Sequence, residues 1–234
     1  MIVVMQVCVG RFGIVVDAWR GSFDLVAVIA GLFALVFVVV GTMSVHEWAH
    51  AFVANKLGDG TARLSGRMTL NPMKHIDPIG ALMIILVGFG YAKPVPVNPR
   101  NFKNPKTGMA LTALAGPVSN LLMAAIFILL KNIVGLLPAA NVLATALYLF
   151  FTYAAIINIG LAVFNLIPIP PLDGSRVLQL LIPSKYYYKF LQYERYIVLI
   201  VFALLFFGVL SRPLAYLETV IFNGLDYVIG YPFR

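Results

Sequence analysis

Residues 25–50 read LVAVIAGLFALVFVVVGTMSVHEWAH, and this stretch decides the class of fold. Its first part, Leu25–Val45, carries no charged side chain. A helix needs about 20 mainly apolar residues to cross a bilayer, so this part predicts a transmembrane helix. The helical pattern continues to about Leu57, where Gly58 predicts the C-terminal stop.

The composition of the whole chain also indicates a membrane protein. Of its 234 residues, 61% are hydrophobic and 11% are charged, whereas an ordinary soluble domain has about 25% charged residues. A soluble domain with this composition would expose too much apolar surface to water. The proportions therefore exclude a soluble enzyme and a disordered chain. The single cysteine, Cys8, excludes an internal disulfide and a multi-cysteine metal site.

Three further segments are predicted to cross the membrane. Met109–Leu130 and Val142–Leu166 are apolar and long enough to span it. Ile197–Leu210 is the apolar centre of a fourth helix, which is predicted to begin near Phe190. These segments predict an all-α polytopic membrane protein with about four transmembrane helices.

Other apolar segments are less suited to crossing. Ile79–Gly90 is only 12 residues long with three glycines, so it predicts a short membrane-associated strand or re-entrant segment. Residues 1–20 are interpreted as a short membrane-associated segment, and residues 213–230 as an interfacial helix. If one or two of these segments also cross, the number of spans is five or six.

The basic residues predict the orientation of the chain. Of 17 Lys and Arg residues, twelve lie between Val45 and Met109 or between Leu166 and Ile197. By the positive-inside rule these two loops are cytoplasmic and both termini are outside. No basic cluster has interleaved aromatic residues, so the net charge of +8 indicates a bilayer rather than nucleic acid as partner. We expect a single domain over residues 1–234, with a core at 25–185 and C-terminal helices at 186–234.

The sequence His46-Glu47-Trp48-Ala49-His50 predicts a metal site at the end of the first span. Residues four apart lie on one face of a helix, so both imidazoles can reach one Zn²⁺ ion. Glu47 can flank the metal and transfer protons. Only three histidines occur in the chain, and ionisable groups at a membrane boundary are costly, so a functional role is favoured over chance.

A third protein ligand is expected, because a catalytic zinc site has three and keeps one position open. The candidates are Asp173, His75 and Asp77. Asp173 follows the proline-broken end of the third predicted span, on the same predicted side of the membrane as the two histidines. The residues alone favour Asp173 over His75 only modestly, and Asp77 stays open.

Three motifs together resemble the site-2 protease family of intramembrane zinc metalloproteases. They are His46-Glu47-Trp48-Ala49-His50, Gly116-Pro117-Val118-Ser119-Asn120 and Asn165-Leu166-Ile167-Pro168-Ile169-Pro170-Pro171-Leu172-Asp173-Gly174. Residues 69–80 resemble the compact prokaryotic branch of the family, and the likeness covers roughly residues 25–185. HExxH alone is shared with many zinc proteases, but its combination with a distant NxxPxPxxDG is specific.

The resemblance implies a set of roles. It implies that His46, His50 and Asp173 bind one Zn²⁺ and that Glu47 is the catalytic acid and base. We also expect a transmembrane protein substrate and a multi-pass place in the prokaryotic cytoplasmic membrane, where the basic loops put the active site toward the cytoplasmic face. The oligomeric state is left open.

Two asparagines inside predicted spans are further candidates. Asn120 and Asn165 either hold the substrate or its oxyanion, or they join helices through hydrogen bonds. The resemblance favours the functional role without assigning it to one of them.

Two loops are predicted to lie beside the site. Residues 61–70 alternate partly and predict a short strand or hairpin, and residues 91–99 are kept extended by their prolines. We expect both, with Ile79–Gly90, to form a membrane-dipping strand and loop that captures an unwound substrate by strand addition. Two ordinary loops are the alternative.

The predicted function is hydrolysis of peptide bonds within or near transmembrane helices. A metal or ion transporter is one alternative, but it would place polar groups through the whole membrane depth. A catalytically inactive binding homologue is the other, but it would have lost Glu47 or a ligand.

Overall fold

A computed structural model describes residues 2–4, 25–80, 89–138 and 141–233 of the chain. The helices in this part are α1 (Leu25–Phe37), α2 (Met43–Lys56), α3 (Thr61–Leu64), α4 (Pro105–Val134), α5 (Val142–Asn165), α6 (Gly174–Leu181), α7 (Ser184–Gln192), α8 (Glu194–Phe206) and α9 (Ser211–Gly230). Two short strands, β1 (Ile2–Val4) and β2 (Phe89–Tyr91), pair antiparallel. The expectation for residues 1–20 falls mainly outside the described residues, as does that for 81–88 of the re-entrant segment.

The first span is one continuous helical segment with a wide turn in its middle. A π-helical turn, Val38–Thr42, joins α1 to α2, and the whole segment covers Leu25–Lys56. The predicted stop is confirmed, since Gly58 has a φ of 111°, a conformation that favours glycine. Before the wide turn the helix packs on α5, and after it the helix packs on α4.

Three of the four predicted spans have the length and apolarity to cross a membrane. Among the described residues these are Leu25–Lys56, α4 and α5. Both α4 and α5 extend from a capping asparagine: Asn104 accepts from the Thr107 amide, and Asn141 accepts from the Leu143 and Ala144 amides. Such caps satisfy amides that have no partner within the helix. The chain is therefore an all-α membrane protein.

The fourth predicted span forms the helix α8, but this helix is short. It has 13 residues, which corresponds to about 20 Å at about 1.5 Å per residue. The hydrocarbon core of a bilayer is about 30 Å thick. Gly208, with a φ of 73°, then turns the chain into α9. A crossing by this segment stays a prediction.

The C-terminal helix α9 packs into the bundle against α4 and α5, although its composition suggested an interfacial helix. Its Asp226 accepts from Lys131 Nζ at 2.6 Å and from Asn132 Nδ2 at 2.9 Å. Lys131 is buried, with its ammonium over the rings of Tyr148 and Phe222. This paired charge explains how an acidic residue is accommodated between helices.

The strand or hairpin predicted for residues 61–70 is wrong, because Thr61–Leu64 form a helical turn. Asp59 Oδ1 accepts from the Thr61 amide, which satisfies a first amide of this turn. Gly66, with a φ of 64°, reverses the chain after it. These local preferences outweigh the weak alternation. Residues 92–98 contain neither helix nor paired strand, and the backbone at Asn98 is extended, as the prolines predict.

Candidate active site

Three predicted metal ligands meet at one point. His46 and His50 lie one turn apart on α2 with their Nε2 atoms 3.0 Å apart. Asp173 Oδ2 lies 3.3 Å from each of these nitrogens. Ligand atoms at about 2.0–2.1 Å from one tetrahedral zinc ion are about 3.3 Å apart. This group therefore fits one zinc ion.

Asp173 reaches the histidines because the chain turns sharply after α5. Pro168, Pro170 and Pro171 prevent the helix from continuing, and Asp173 stands at the N-terminus of α6. A Cβ atom at Gly174 would lie 2.2 Å from the carbonyl oxygen of Leu166. Only glycine therefore allows this close approach between the start of α6 and the end of α5.

Gly116 lets α4 pack directly against the two imidazoles. A Cβ atom there would lie 2.4 Å from His50 Nε2 and 2.5 Å from His46 Nε2. One turn earlier, the carbonyl oxygen of Thr112 lies 2.7 Å from His50 Nδ1. Because a carbonyl can only accept, Nδ1 carries the proton, and His50 Nε2 keeps its lone pair for a metal.

Glu47 lies beside the group and is 1% exposed. Its Oε2 accepts from the backbone amide of Val95 at 3.1 Å, and its Oε1 has no hydrogen-bond partner in the described part of the chain. A cleft of about 220 Å³ adjoins Glu47 and Asp173. Its other walls are formed by Pro94, Val95, Val97, Met109, Thr112, Ala113, Pro171, Leu172, Arg176 and His50.

The other two ligand candidates lie outside the group and have structural contacts. His75 is buried, and its Nε2 lies 2.8 Å from the carbonyl oxygen of Thr69. Asp77 Oδ1 accepts from the amides of Ile79 and Gly80 at 3.0 Å each. Of the three candidates, Asp173 is the one that the structure brings to the histidines.

Asn120 and Asn165 are both fully buried, and neither is among the described residues that line the cleft. Asn165 Nδ2 donates to the carbonyl oxygen of Leu161 at 2.9 Å, and its Oδ1 has no partner among the described residues. Neither side-chain polar atom of Asn120 has one there. The Oδ1 of a third buried asparagine, Asn158, also has no partner among the described residues. None of the three sequence motifs contains this residue.

Comparisons with known proteins agree on one family. The sequence profile of peptidase family M50 matches residues 129–208. YwhC of Bacillus subtilis (strain 168) is 45% identical over 175 residues, which cover 74% of this chain and 79% of that protein. Rip2 of Mycolicibacterium smegmatis is 28% identical over 171 residues, which cover 69% of this chain and 63% of Rip2.

Rip2 of Mycobacterium tuberculosis (strain ATCC 25618 / H37Rv) is 28% identical over 157 residues, which cover 64% of this chain and 58% of that protein. All these relatives are named as candidate zinc metalloproteases. No solved structure matches the chain at a significant level. With its zinc-compatible group beside an apolar bundle, the chain belongs to peptidase family M50, the site-2 protease family of zinc metalloproteases.

Proposed function

We propose that this metalloprotease is an intramembrane endopeptidase that hydrolyses peptide bonds within or near transmembrane helices of other membrane proteins. The observation that carries the proposal is the place of the catalytic group. His46, Glu47 and His50 lie on a 32-residue apolar helical segment that is long enough to cross a membrane. A hydrolytic site on such a segment is suited to substrates in the bilayer.

Each residue of the group has a defined task in this proposal. His46, His50 and Asp173 would hold one Zn²⁺, which their spacing fits. A zinc ion bound there would polarise the scissile carbonyl and lower the pKa of the attacking water. Glu47 uses its free Oε1 to take a proton from that water, and later gives the proton to the leaving amine.

The segment Pro94–Val97 is suited to hold an unwound substrate. Prolines at 94 and 96 have no amide hydrogen, so Val95 and Val97 are its only amide donors. Glu47 already accepts from Val95, whereas the structure gives the Val97 amide no partner among the described residues. We therefore assign the Val97 amide to a carbonyl of the substrate, as in strand addition.

We further propose that the protein is multi-pass in the cell membrane with its active site toward the cytoplasm. The basic residues support this orientation, since Lys56 ends the site-bearing helix and Arg63 and Arg67 lie in the loop region that follows it. Its partners are then a transmembrane substrate and the lipid bilayer. A role of Asn120 or Asn165 in substrate or oxyanion binding stays a prediction.

Chelation tests the proposal with the protein reconstituted in lipid and a single-span membrane protein as substrate. We expect a zinc chelator to abolish cleavage and added Zn²⁺ to restore it. The reason is that the attacking water would be activated by the zinc ion, at the position that the three ligands leave open. Mass spectrometry of the products should place the cut within or next to the span. Cleavage that persists without zinc, or only in soluble parts of the substrate, would contradict the proposal.

A further inference from the structure

Arg67, which is not part of the metal group, binds the segment Lys93–Val95 that contacts Glu47. Arg67 Nη2 donates to the carbonyl oxygens of Lys93 at 2.7 Å and of Pro94 at 3.2 Å. The Lys93 amide in turn donates to the carbonyl oxygen of His75 at 2.8 Å. The segment is therefore fixed directly before Val95.

Beyond this segment, the chain is fixed at Asn98 by Asp59, which follows α2. Asp59 is fully buried, and it accepts from the Asn98 amide and from Asn101 Nδ2, each at 2.7 Å. Burial raises the pKa of Asp59, but the hydrogen bonds from Thr61, Asn101 and the Asn98 amide lower it more, so the net pKa lies below its usual value. The carboxylate is thus charged at neutral pH and can accept both bonds.

The peptide unit between Pro94 and Val95 connects Arg67 to Glu47. Its carbonyl oxygen accepts from Arg67, and its amide donates to Glu47 Oε2. A trans peptide unit is planar, and its oxygen and hydrogen point in opposite directions. An arginine that holds the oxygen therefore also sets the direction of the amide hydrogen. A cationic donor at the oxygen also polarises the unit and strengthens the amide as a donor.

We propose that Arg67 is a positioning residue, which orients the Glu47 carboxylate through the Pro94–Val95 peptide unit. The inference rests on the proposed function, since it assigns a purpose to the fixed Oε2 and the free Oε1 of Glu47. Arg67 lies outside the three sequence motifs and is one of 17 basic residues, so the sequence did not distinguish it.

The test compares Arg67→Ala with the matched control Arg63→Ala. Arg63 is an exposed arginine four residues earlier, and its removal should leave kcat unchanged. We expect Arg67→Ala to lower kcat roughly 10- to 100-fold, the effect of misplacing a catalytic group, with KM and zinc content near wild type. Arg67→Lys, which keeps a cationic donor, should recover part of kcat. An unchanged kcat in Arg67→Ala overturns the proposal.

A second measurement does not depend on activity. Within residues 94–97 only Val95 and Val97 have exchangeable amides. Hydrogen exchange of this segment therefore reports how firmly the contacts with Arg67 and Glu47 hold it. We expect faster exchange in Arg67→Ala and none of this change in Arg63→Ala. A kcat loss caused by lost zinc, or a rise in KM alone, would instead assign Arg67 to metal or substrate binding and overturn the proposal.

The two proposals fail in different ways. If the wild type does not cleave the membrane substrate, or cleaves it without zinc, the proposed function fails. If wild type and Glu47→Gln cleave equally, Glu47 is not the acid and base, and this inference fails with that role. If Glu47→Gln is inactive while Arg67→Ala keeps full kcat and normal exchange, only the positioning role fails.

Discussion

Replacing Glu47 by Gln should lower kcat roughly 10²- to 10⁴-fold, the range that general acid–base catalysis contributes. The amide of Gln can still accept the Val95 hydrogen bond in place of Oε2, so the local structure should persist. It cannot take a proton from the attacking water. The measurements are cleavage of a reconstituted transmembrane substrate and zinc per protein by elemental analysis, with zinc expected to stay at one equivalent.

The matched control is Glu194→Gln, which removes the same charge at the start of α8. It should leave both kcat and zinc content unchanged. Equal cleavage by wild type and Glu47→Gln would refute the assignment of Glu47 as acid and base. Loss of zinc in Glu47→Gln would instead place Glu47 among the ligands.

The second large effect is expected on metal content. Asp173→Ala should reduce zinc affinity by more than about 100-fold, since even partners outside the ligand set cost 10- to 100-fold. The reason is geometric, because the Asp173 carboxylate is the group that faces both imidazoles. Cleavage should be lost together with the metal.

His75→Ala provides the comparison, since it removes the other candidate imidazole. It should retain one zinc per protein, because His75 contacts the Thr69 carbonyl oxygen rather than the metal group. Its buried hydrogen bond predicts a loss of stability of about 1–3 kcal/mol, measurable as a lower melting temperature. Zinc retained in Asp173→Ala and lost in His75→Ala would reverse the ligand assignment.

Features that depend on local sequence were predictable. The apolar run from Leu25 gives the first span, and the spacing of His46 and His50 places both on one helix face. Residue chemistry left the third ligand open, and the resemblance to a family favoured Asp173. The structure agrees because the prolines and Gly174 bring the chain back to α2.

Features that depend on distant partners were not predictable. The contacts of Asp59 are one example, since this residue before the turn at 61–64 binds Asn98 and Asn101, about 40 residues away. The charge pair of α9 is another, since Asp226 has its partner Lys131 95 residues away. A pattern read along the chain does not contain such pairs, since their geometry exists only after the helices pack.

The wide turn at Val38–Thr42 limits how the first span can adapt to lipid. Deleting one residue there would rotate α2 by about 100° relative to α1. The two halves could not then keep both of their neighbours, α5 before the turn and α4 after it. A change in the length of the span that fits a thicker or thinner bilayer is therefore better tolerated at its Leu25 end than inside the turn. Evolution can change the length of the span at that end while α2, which carries His46, Glu47 and His50, keeps its rotation relative to α4.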